Sequence, residues 1–297
     1  MSALPQRIAV TGASGLIGSA LVGHLKSEGH TVQRLVRRLP VSPDEVQWDP
    51  ATGFVDTAAL AGVDAVIHLA GVGVGDKRWS KKYKSQILNS RLLGTEAIAK
   101  AVAEVKPQVF ISASAIGWYG ESGNRAVIES DRVGDDFLAA VCREWEAAAD
   151  IASPIRTVKL RTGLVLDPTG GALGKMLPLF RFGLGGKLGS GKQWWSWITL
   201  HDVIRAITFA LENPIEGPIN LTSPNPVTNQ ELTRAIANTL GKPLFLPNIP
   251  KVFMKLVLGD MHTLLFESQR VCCKKTEDLG FEFEYHHLQP ALEDLLK

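Results

Sequence analysis

Thr11-Gly12-Ala13-Ser14-Gly15-Leu16-Ile17-Gly18 is the stretch that decides the fold. Its three glycines follow a short alternating apolar run, Arg7 to Val10, and open a segment, Leu16 to Leu25, whose apolar residues recur at helical spacing until Gly29 stops it. Thr31 to Val36 then reads as a second strand. Strand, helix and strand joined by connections this short build a right-handed βαβ unit with a parallel sheet. Gly12 permits a tight turn, Gly15 lets a ligand approach the backbone, and Gly18 lets the helix lie against the strand.

Working outward, the same alternation continues. Ala65 to Leu69 reads as a strand, Ser80 to Val105 as a long helix, Val109 to Ala113 as a strand, Phe137 to Ile151 as a helix and Ile155 to Leu160 as a strand. The expected class is α/β, a Rossmann-type doubly wound parallel sheet with a smaller C-terminal substrate lobe. Residues 1–165 form the dinucleotide-binding domain in this reading, its sheet completed by parts of 195–225; residues 166–297 form mainly the substrate lobe. From about Thr162 glycines interrupt the periodicity, as substrate-domain loops would, until Trp197-Ile198 restores a strand. Asp202 is placed to cap a helix from Val203 to Leu211, and Thr228-Asn229-Gln230-Glu231 reads as a capping box. Pro247 to Lys297 has apolar residues spaced as two short helices completing the lobe.

Bulk composition narrows the function. The 297 residues are 45% hydrophobic and 21% charged, an ordinary globular composition. A net charge of +2, with Lys and Arg spread along the chain, argues against a nucleic-acid partner. No apolar run approaches the roughly 20 residues a bilayer span needs. Met1-Ser2-Ala3-Leu4-Pro5 leads at once into a strand pattern and leaves no room for a signal peptide, so a cytoplasmic location is expected. Three cysteines, two of them the adjacent Cys272 and Cys273, read as reduced structural thiols. His286-His287 has no Cys or carboxylate at ligand spacing, and no metal is expected.

A pyrophosphate needs backbone N–H groups and a helix N-terminus, and the turn supplies both. Gly12, Ser14, Gly15, Leu16, Ile17 and Gly18 are therefore the expected cofactor-binding residues. At the end of the second strand, where an NAD site usually offers Asp or Glu to the ribose, this chain has Val36-Arg37-Arg38. No acid there would repel a 2′-phosphate, and Arg37 or Arg38 can pair with one, so NADP is favoured. The alternative is that both arginines are solvated loop charges.

The turn, Asp64-Ala65-Val66-Ile67-His68-Leu69-Ala70-Gly71 and Trp197-Ile198-Thr199-Leu200-His201-Asp202-Val203 together resemble the extended short-chain dehydrogenase/reductases, the NAD(P)-dependent epimerase/dehydratase family. Asp76-Lys77-Arg78-Trp79, Asn89-Ser90-Arg91, Gly174-Lys175-Met176-Leu177-Pro178 and Ser268-Gln269-Arg270-Val271 resemble, more narrowly, an atypical subfamily of NADP-binding epimerases, some labelled cell-division inhibitors, with a distinctive C-terminal segment, here residues 247–297. The resemblance implies that Leu69, Ala70 and Gly71 pass over the cofactor, that Gln86 and Arg91 face it, and that Val165 lies at its nicotinamide end. Arg91 stands three residues before Gly94-Thr95, where the wider family usually has Asn. A surface ion pair on an exposed helix face is the competing role for Arg91.

Catalysis in the wider family uses a Tyr, a Lys four residues later that lowers its pKa, and a Ser that orients the substrate. Ser114 takes the serine's place. None of the three tyrosines has Lys at the fourth following position, and the family frame puts Leu138 and Cys142 where Tyr and Lys should stand. Ser114 either orients a ligand or is a small residue packed at a strand end. Tyr119 is either a substitute proton donor or packing beneath the cofactor loop.

Lys175, Arg181, Lys187 and Lys192 lie in the glycine-rich stretch and suit an anionic small-molecule substrate, or are loop charges. Trp194, Trp195 and Trp197 either floor a pocket or belong to the core. Two functions compete: an NADP-dependent oxidoreductase or epimerase-like enzyme with an unconventional acid–base group, and a catalytically inactive NADP(H)-binding regulator acting through a protein partner. By analogy with the superfamily, the helices Ser80 to Val105 and Phe137 to Ile151 form a homodimer interface.

Overall fold

The computed structural model describes residues 5–245 and 247–297. Met1–Leu4, which carry most of the signal-peptide reading, lie outside the described residues. The first half of the chain runs β1 (Arg7–Thr11), α1 (Leu16–Ser27), β2 (Thr31–Val36), β3 (Glu45–Asp49), β4 (Phe54–Val55), β5 (Ala65–His68), α2 (Lys81–Val105), β6 (Val109–Ala115), β7 (Ala126–Val127) and α3 (Phe137–Ala149). Next come β8 (Arg156–Thr162), β9 (Leu164–Asp167), α4 (Gly171–Arg181), β10 (Trp194–Trp195), β11 (Trp197–Thr199), α5 (Leu200–Glu212) and β12 (Gly217–Leu221). The remainder is β13 (Val227–Thr228), α6 (Asn229–Thr239), α7 (Lys251–Leu258), α8 (Thr263–Phe266), β14 (Arg270–Val271), α9 (Lys274–Asp278) and α10 (Leu288–Leu295).

The main sheet has the order β12-β8-β6-β5-β1-β2-β3-β4, parallel except for the antiparallel β3–β4 edge. This is the expected α/β Rossmann-type sheet with a smaller C-terminal region. From β1 the chain adds strands outward through β2, then returns to β5 and proceeds the other way. The order therefore switches between β1 and β5, and the crevice beyond their C-terminal ends is where such sheets receive ligands.

Alternate residues of the central strands feed two cores, as parallel strands covered on both faces require. Ile8, Val10 and Ile67 pack with Leu21 and Leu25 of α1 and Val203 and Ile207 of α5. Ala9, Val66 and Phe110 pack on the opposite face with Ile98 and Val102 of α2. A third core, with Leu173, Trp195, Trp197, Leu232 and Leu292, holds the C-terminal lobe together. Trp195 and Trp197 thus belong to the core rather than to a pocket floor, while Trp194 is partly exposed under Arg270.

Three local expectations need correction. Thr199, not Asp202, caps α5: its side chain accepts from the Asp202 N–H, and the helix starts at Leu200. The Asp202 carboxylate instead accepts from the Glu284 and Tyr285 N–H groups and from Arg205. The C-terminal segment forms four short helices, α7 to α10, because extended stretches around Glu267–Val271 and Phe281–His287 interrupt the apolar spacing. Strands β3 and β4 fall where the sequence pattern suggested no element. The capping box at Thr228 is present, with Glu231 Oε2 accepting from the Thr228 N–H at 2.6 Å.

Candidate functional site

The glycine turn lies at the switch point, where its three glycines are there for space. Gly12 has φ +68°, and a Cβ there would meet the Leu69 carbonyl carbon at 2.8 Å and the Ala70 nitrogen at 2.9 Å. A Cβ on Gly18 would run into the Gly12 carbonyl oxygen. The Gly15 N–H donates to the Gly12 carbonyl at 2.9 Å and closes the turn. Gly15 is also the N-cap of α1, with no side-chain cap and no acidic residue in the first turn. The first-turn N–H groups of α1 consequently have no side-chain partner among the described residues, and the helix dipole lies behind them. Ser14 and Gly15 are exposed, while Leu16 and Ile17 are partly covered.

The structure draws several predicted residues to this turn. Leu69 and Ala70 lie against Gly12, and Val165 packs with Ala13, Ile17 and Leu69 on one core. A Cβ on Gly170 would meet a methyl group of Leu16 at 3.1 Å, which brings the β9–α4 loop over the start of α1. Val36 ends β2, and Arg37 beyond it is exposed and has no ion pair among the described residues. Arg38 is tied down: its two terminal nitrogens donate to the buried Glu45 carboxylate at 2.7 and 2.6 Å. This hydrogen-bonded pairing holds the Glu45 carboxyl below the usual carboxylate range.

Arg91 makes no surface ion pair among the described residues. Its guanidinium donates to the Val72 and Ile87 carbonyls at 2.9 and 3.2 Å, lies 4.8 Å from the Trp145 ring centre, and supports Gly71 from below. Gln86, one and a half turns earlier, is exposed on α2.

Sequence reasoning missed the pair that fastens the crevice. Thr11 Oγ1 accepts from the Leu69 and Ala70 N–H groups at 3.1 and 3.2 Å and lies 2.7 Å from His68 Nδ1. A hydroxyl accepting twice gives its one proton to the imidazole, so Nδ1 is the acceptor and the ring proton sits on Nε2. Burial holds this imidazole neutral, its pKa lowered to about 3. The ring stands edge-on to Trp48 at 5.9 Å. Thr11 and His68 thus bind the ends of β1 and β5 together and press Leu69-Ala70 onto Gly12.

Ser114 and Tyr119 lie elsewhere, in a closed polar network. Ser114 Oγ donates to Glu146 Oε1 at 2.7 Å, and Arg161 grips the same carboxylate with two bonds of 2.8 and 3.0 Å. Arg161 also donates to the Tyr119 hydroxyl at 3.1 Å, and that hydroxyl donates to Asn220 Oδ1 at 2.6 Å. The guanidinium stacks 3.9 Å above the Trp118 ring. Desolvation pushes the Tyr119 phenol up to about 12, which makes it a poorer acid than free tyrosine. Leu138 packs at Gly117, and the Cys142 thiol, pushed up to about 12 by burial, donates to the Ala115 carbonyl. Ser114 and Tyr119 are thus both buried members of this hydrogen-bonded network. Glu146 and Arg161, which organise them, carried no sequence signal of their own.

Two cavities lie beside the loops leaving the sheet. The larger, about 390 Å³, is bordered by Glu121, Asn124, Lys192, Gln193, Lys251 and Ser268. The smaller, about 140 Å³, is bordered by Trp79, Lys84, Asp136, Leu138, Asp260 and Glu267. Of the four basic residues of the glycine-rich stretch, Lys192 alone borders either cavity. Lys175 pairs with Asp76 at 2.9 Å, Lys187 bonds to Gln230, and Arg181 is exposed at the end of α4.

Comparison with known proteins bears on this arrangement. Residues 8–222 match the NAD dependent epimerase/dehydratase family, and residues 249–295 match a domain of unknown function, DUF1731. An epimerase family protein of Mycobacterium bovis, Mb2239, is 43% identical over 96% of this chain and 96% of its own. The chloroplastic SDR39U1 homolog of Arabidopsis thaliana is 37% identical over 98% of this chain and 86% of its own. The crystal structure of human epimerase family protein SDR39U1 with NADPH superposes with a TM-score of 0.89 at 33% identity, covering 97% of this chain and 98% of the human one. The match over residues 8–222, together with relatives this similar over nearly full length, identifies the chain as a member of the NAD-dependent epimerase/dehydratase family, with the C-terminal segment of its SDR39U1-like members.

Proposed function

We propose that the chain binds NADP(H) at the Gly12–Gly18 turn and acts as an oxidoreductase or epimerase-like enzyme on a small anionic substrate. One observation carries the cofactor reading: an uncapped helix N-terminus at a glycine turn, with Arg37 free beside it and no acid at the end of β2. The backbone of Gly12 to Ile17 would hold the pyrophosphate, and Arg37 the 2′-phosphate; Arg38 has its charge met by Glu45. Leu69 to Gly71, supported by Arg91 from below, would form the wall over the dinucleotide, and Val165 would border its nicotinamide end. The human relative crystallised with NADPH supports NADP over NAD, although the family's own description names NAD.

Bound dinucleotide would supply two-electron redox chemistry. The chain would bind and orient the substrate. Lys192 and Lys251, both without ion-pair partners among the described residues, border the 390 Å³ cavity and suit a carboxylate or phosphate. The second reading, an NADP(H)-binding regulator without turnover, draws on the closed network around Ser114 and Tyr119. Enzymatic action is favoured because Lys192, Lys251 and Glu267 border the cavities without ion-pair partners among the described residues. A homodimer through α2 and α3 belongs to the same proposal, and a monomeric mass in light scattering would remove it.

Calorimetric titration with NADPH and NADH tests the cofactor reading. NADPH should bind more tightly, and Arg37→Ala should cost roughly tenfold in NADPH affinity, about 1.4 kcal/mol, while leaving NADH unchanged. Equal losses for both dinucleotides would mean that Arg37 does not meet the 2′-phosphate.

A further inference from the structure

Four carboxylates stand around the two cavities, and three have structural work. Glu121 accepts from the Gly123 and Ser268 N–H groups, each at 2.8 Å. Asp136 caps α3 by accepting from the Leu138 and Ala139 N–H groups. Asp260 is bonded to Lys84 at 2.6 Å. Glu267 is different: it is half-buried on the 140 Å³ cavity, and its carboxyl has no hydrogen bond or ion pair among the described residues.

Its position is nevertheless fixed. Ser268, the next residue, donates through Oγ to the Gly123 carbonyl at 2.6 Å and accepts from the Trp194 N–H at 3.0 Å. The Ser268 carbonyl accepts from the Ser122 N–H at 2.8 Å. The extended backbone after α8 therefore sets Glu267 on one cavity and Ser268 on the other. Trp79, Phe137 and Leu138 give the smaller cavity an apolar wall, and they belong to the segments that follow β5 and β6 at the ligand-receiving end of the sheet.

We propose that the Glu267 carboxyl is the acid–base group of the substrate cleft, passing a proton to or from a hydroxyl or carbonyl oxygen of a small ligand seated against Leu138. The proposal rests on the cofactor reading above. The proton moves between a Glu267 carboxyl oxygen and the ligand oxygen, and the carboxyl is neutral in one state and anionic in the other. The surroundings suit both states. Burial first, then Asp136 from α3 and Glu121 from the loop after β6, disfavour the anion, while Lys251 of α7 favours it; Lys84 of α2, on the same cavity, is paired with Asp260. The balance pushes the carboxyl up to about 7, where a group both gives and takes protons near neutral pH.

The test is a titration of the full chain by carboxyl-carbon NMR with labelled glutamate, first free and then saturated with NADPH or NADP⁺. Loss of one resonance in both Glu267→Gln and Glu267→Asp assigns the signal, so neither variant alone has to fold perfectly. Glu267 should titrate near pH 7, and its midpoint should lie about 0.5–1 unit lower with NADP⁺ than with NADPH, because the oxidised nicotinamide is cationic. A midpoint in the ordinary glutamate range, or one equal with the two bound dinucleotides, overturns the proposal alone. If neither dinucleotide perturbs the amides of Gly12 to Gly18, the cofactor reading falls and takes the proposal with it.

Discussion

The crevice at Gly12 and the network at Ser114 lie on one sheet with only β5 between their strands, yet they handle polar groups in opposite ways. At the crevice the α1 N-terminus is left uncapped and the strand end Leu69 to Gly71 is held against Gly12 by Thr11 and His68. At Ser114 every donor and acceptor is answered from within, by Glu146, Arg161, Tyr119 and Asn220. Unanswered N–H groups at a surface turn suit an anionic ligand, as proposed above. A buried set answered internally is a brace. The difference separates where the chain can hold a ligand from where it holds itself together.

The largest effect should come from breaking the brace. Arg161→Met leaves the Glu146 carboxylate buried without its partner and should cost about 3–5 kcal/mol in denaturant unfolding. If the variant still folds, its NADPH affinity should stay near that of the parent. Loss of stability below about 1 kcal/mol would mean that water replaces the guanidinium and the network is not closed.

A somewhat smaller effect sharpens the crevice side. His68 has its pKa lowered to about 3 by burial, so over the acid range the native state binds fewer protons than the unfolded chain. Its contribution is complete above the unfolded value near 6.5 and is lost as pH falls toward 3. Between pH 6.5 and 4 the parent should lose about 3 kcal/mol more stability than His68→Gln. Parallel pH curves for the two proteins would show that the imidazole takes up a proton without opening the crevice.

Smallest in free energy, but most local, is Gly18→Ala. Its methyl group would run into the Gly12 carbonyl oxygen, both of them backbone-anchored, and the turn would have to shift. Stability should fall by about 1–3 kcal/mol, with NADPH affinity falling alongside it. An unchanged affinity would mean that the turn relaxes without moving its N–H groups.

The same contrast explains what the sequence disclosed. The crevice was legible because a turn with three glycines between a strand and a helix is a local constraint, and the missing acid after β2 sits in one short stretch. The brace was not, because Ser114 meets Glu146 and Arg161 across 32 and 47 positions, and Tyr119 meets Asn220 across 101. Asp202 shows how a local signal misleads: it has the composition of a cap, but its carboxylate is drawn to N–H groups more than 80 residues away, and the short Thr199 side chain takes the helix end. Glu267 lies in a segment whose residues pointed to relatives but to no chemistry. Only the folded chain shows that its carboxylate neighbours are occupied and that it has no hydrogen bond or ion pair among the described residues.

Hydrogen exchange read by mass spectrometry, with and without saturating NADPH, tests the division most directly. Protection should rise in the peptides covering Gly12 to Gly18, Val36 to Arg38 and Leu69 to Gly71, and should stay level at Ser112 to Tyr119, where the amides already have partners in the sheet and the adjoining turn. Protection rising mainly at Ser112 to Tyr119, with Gly12 to Gly18 unchanged, would contradict the assignment of the open crevice as the binding site.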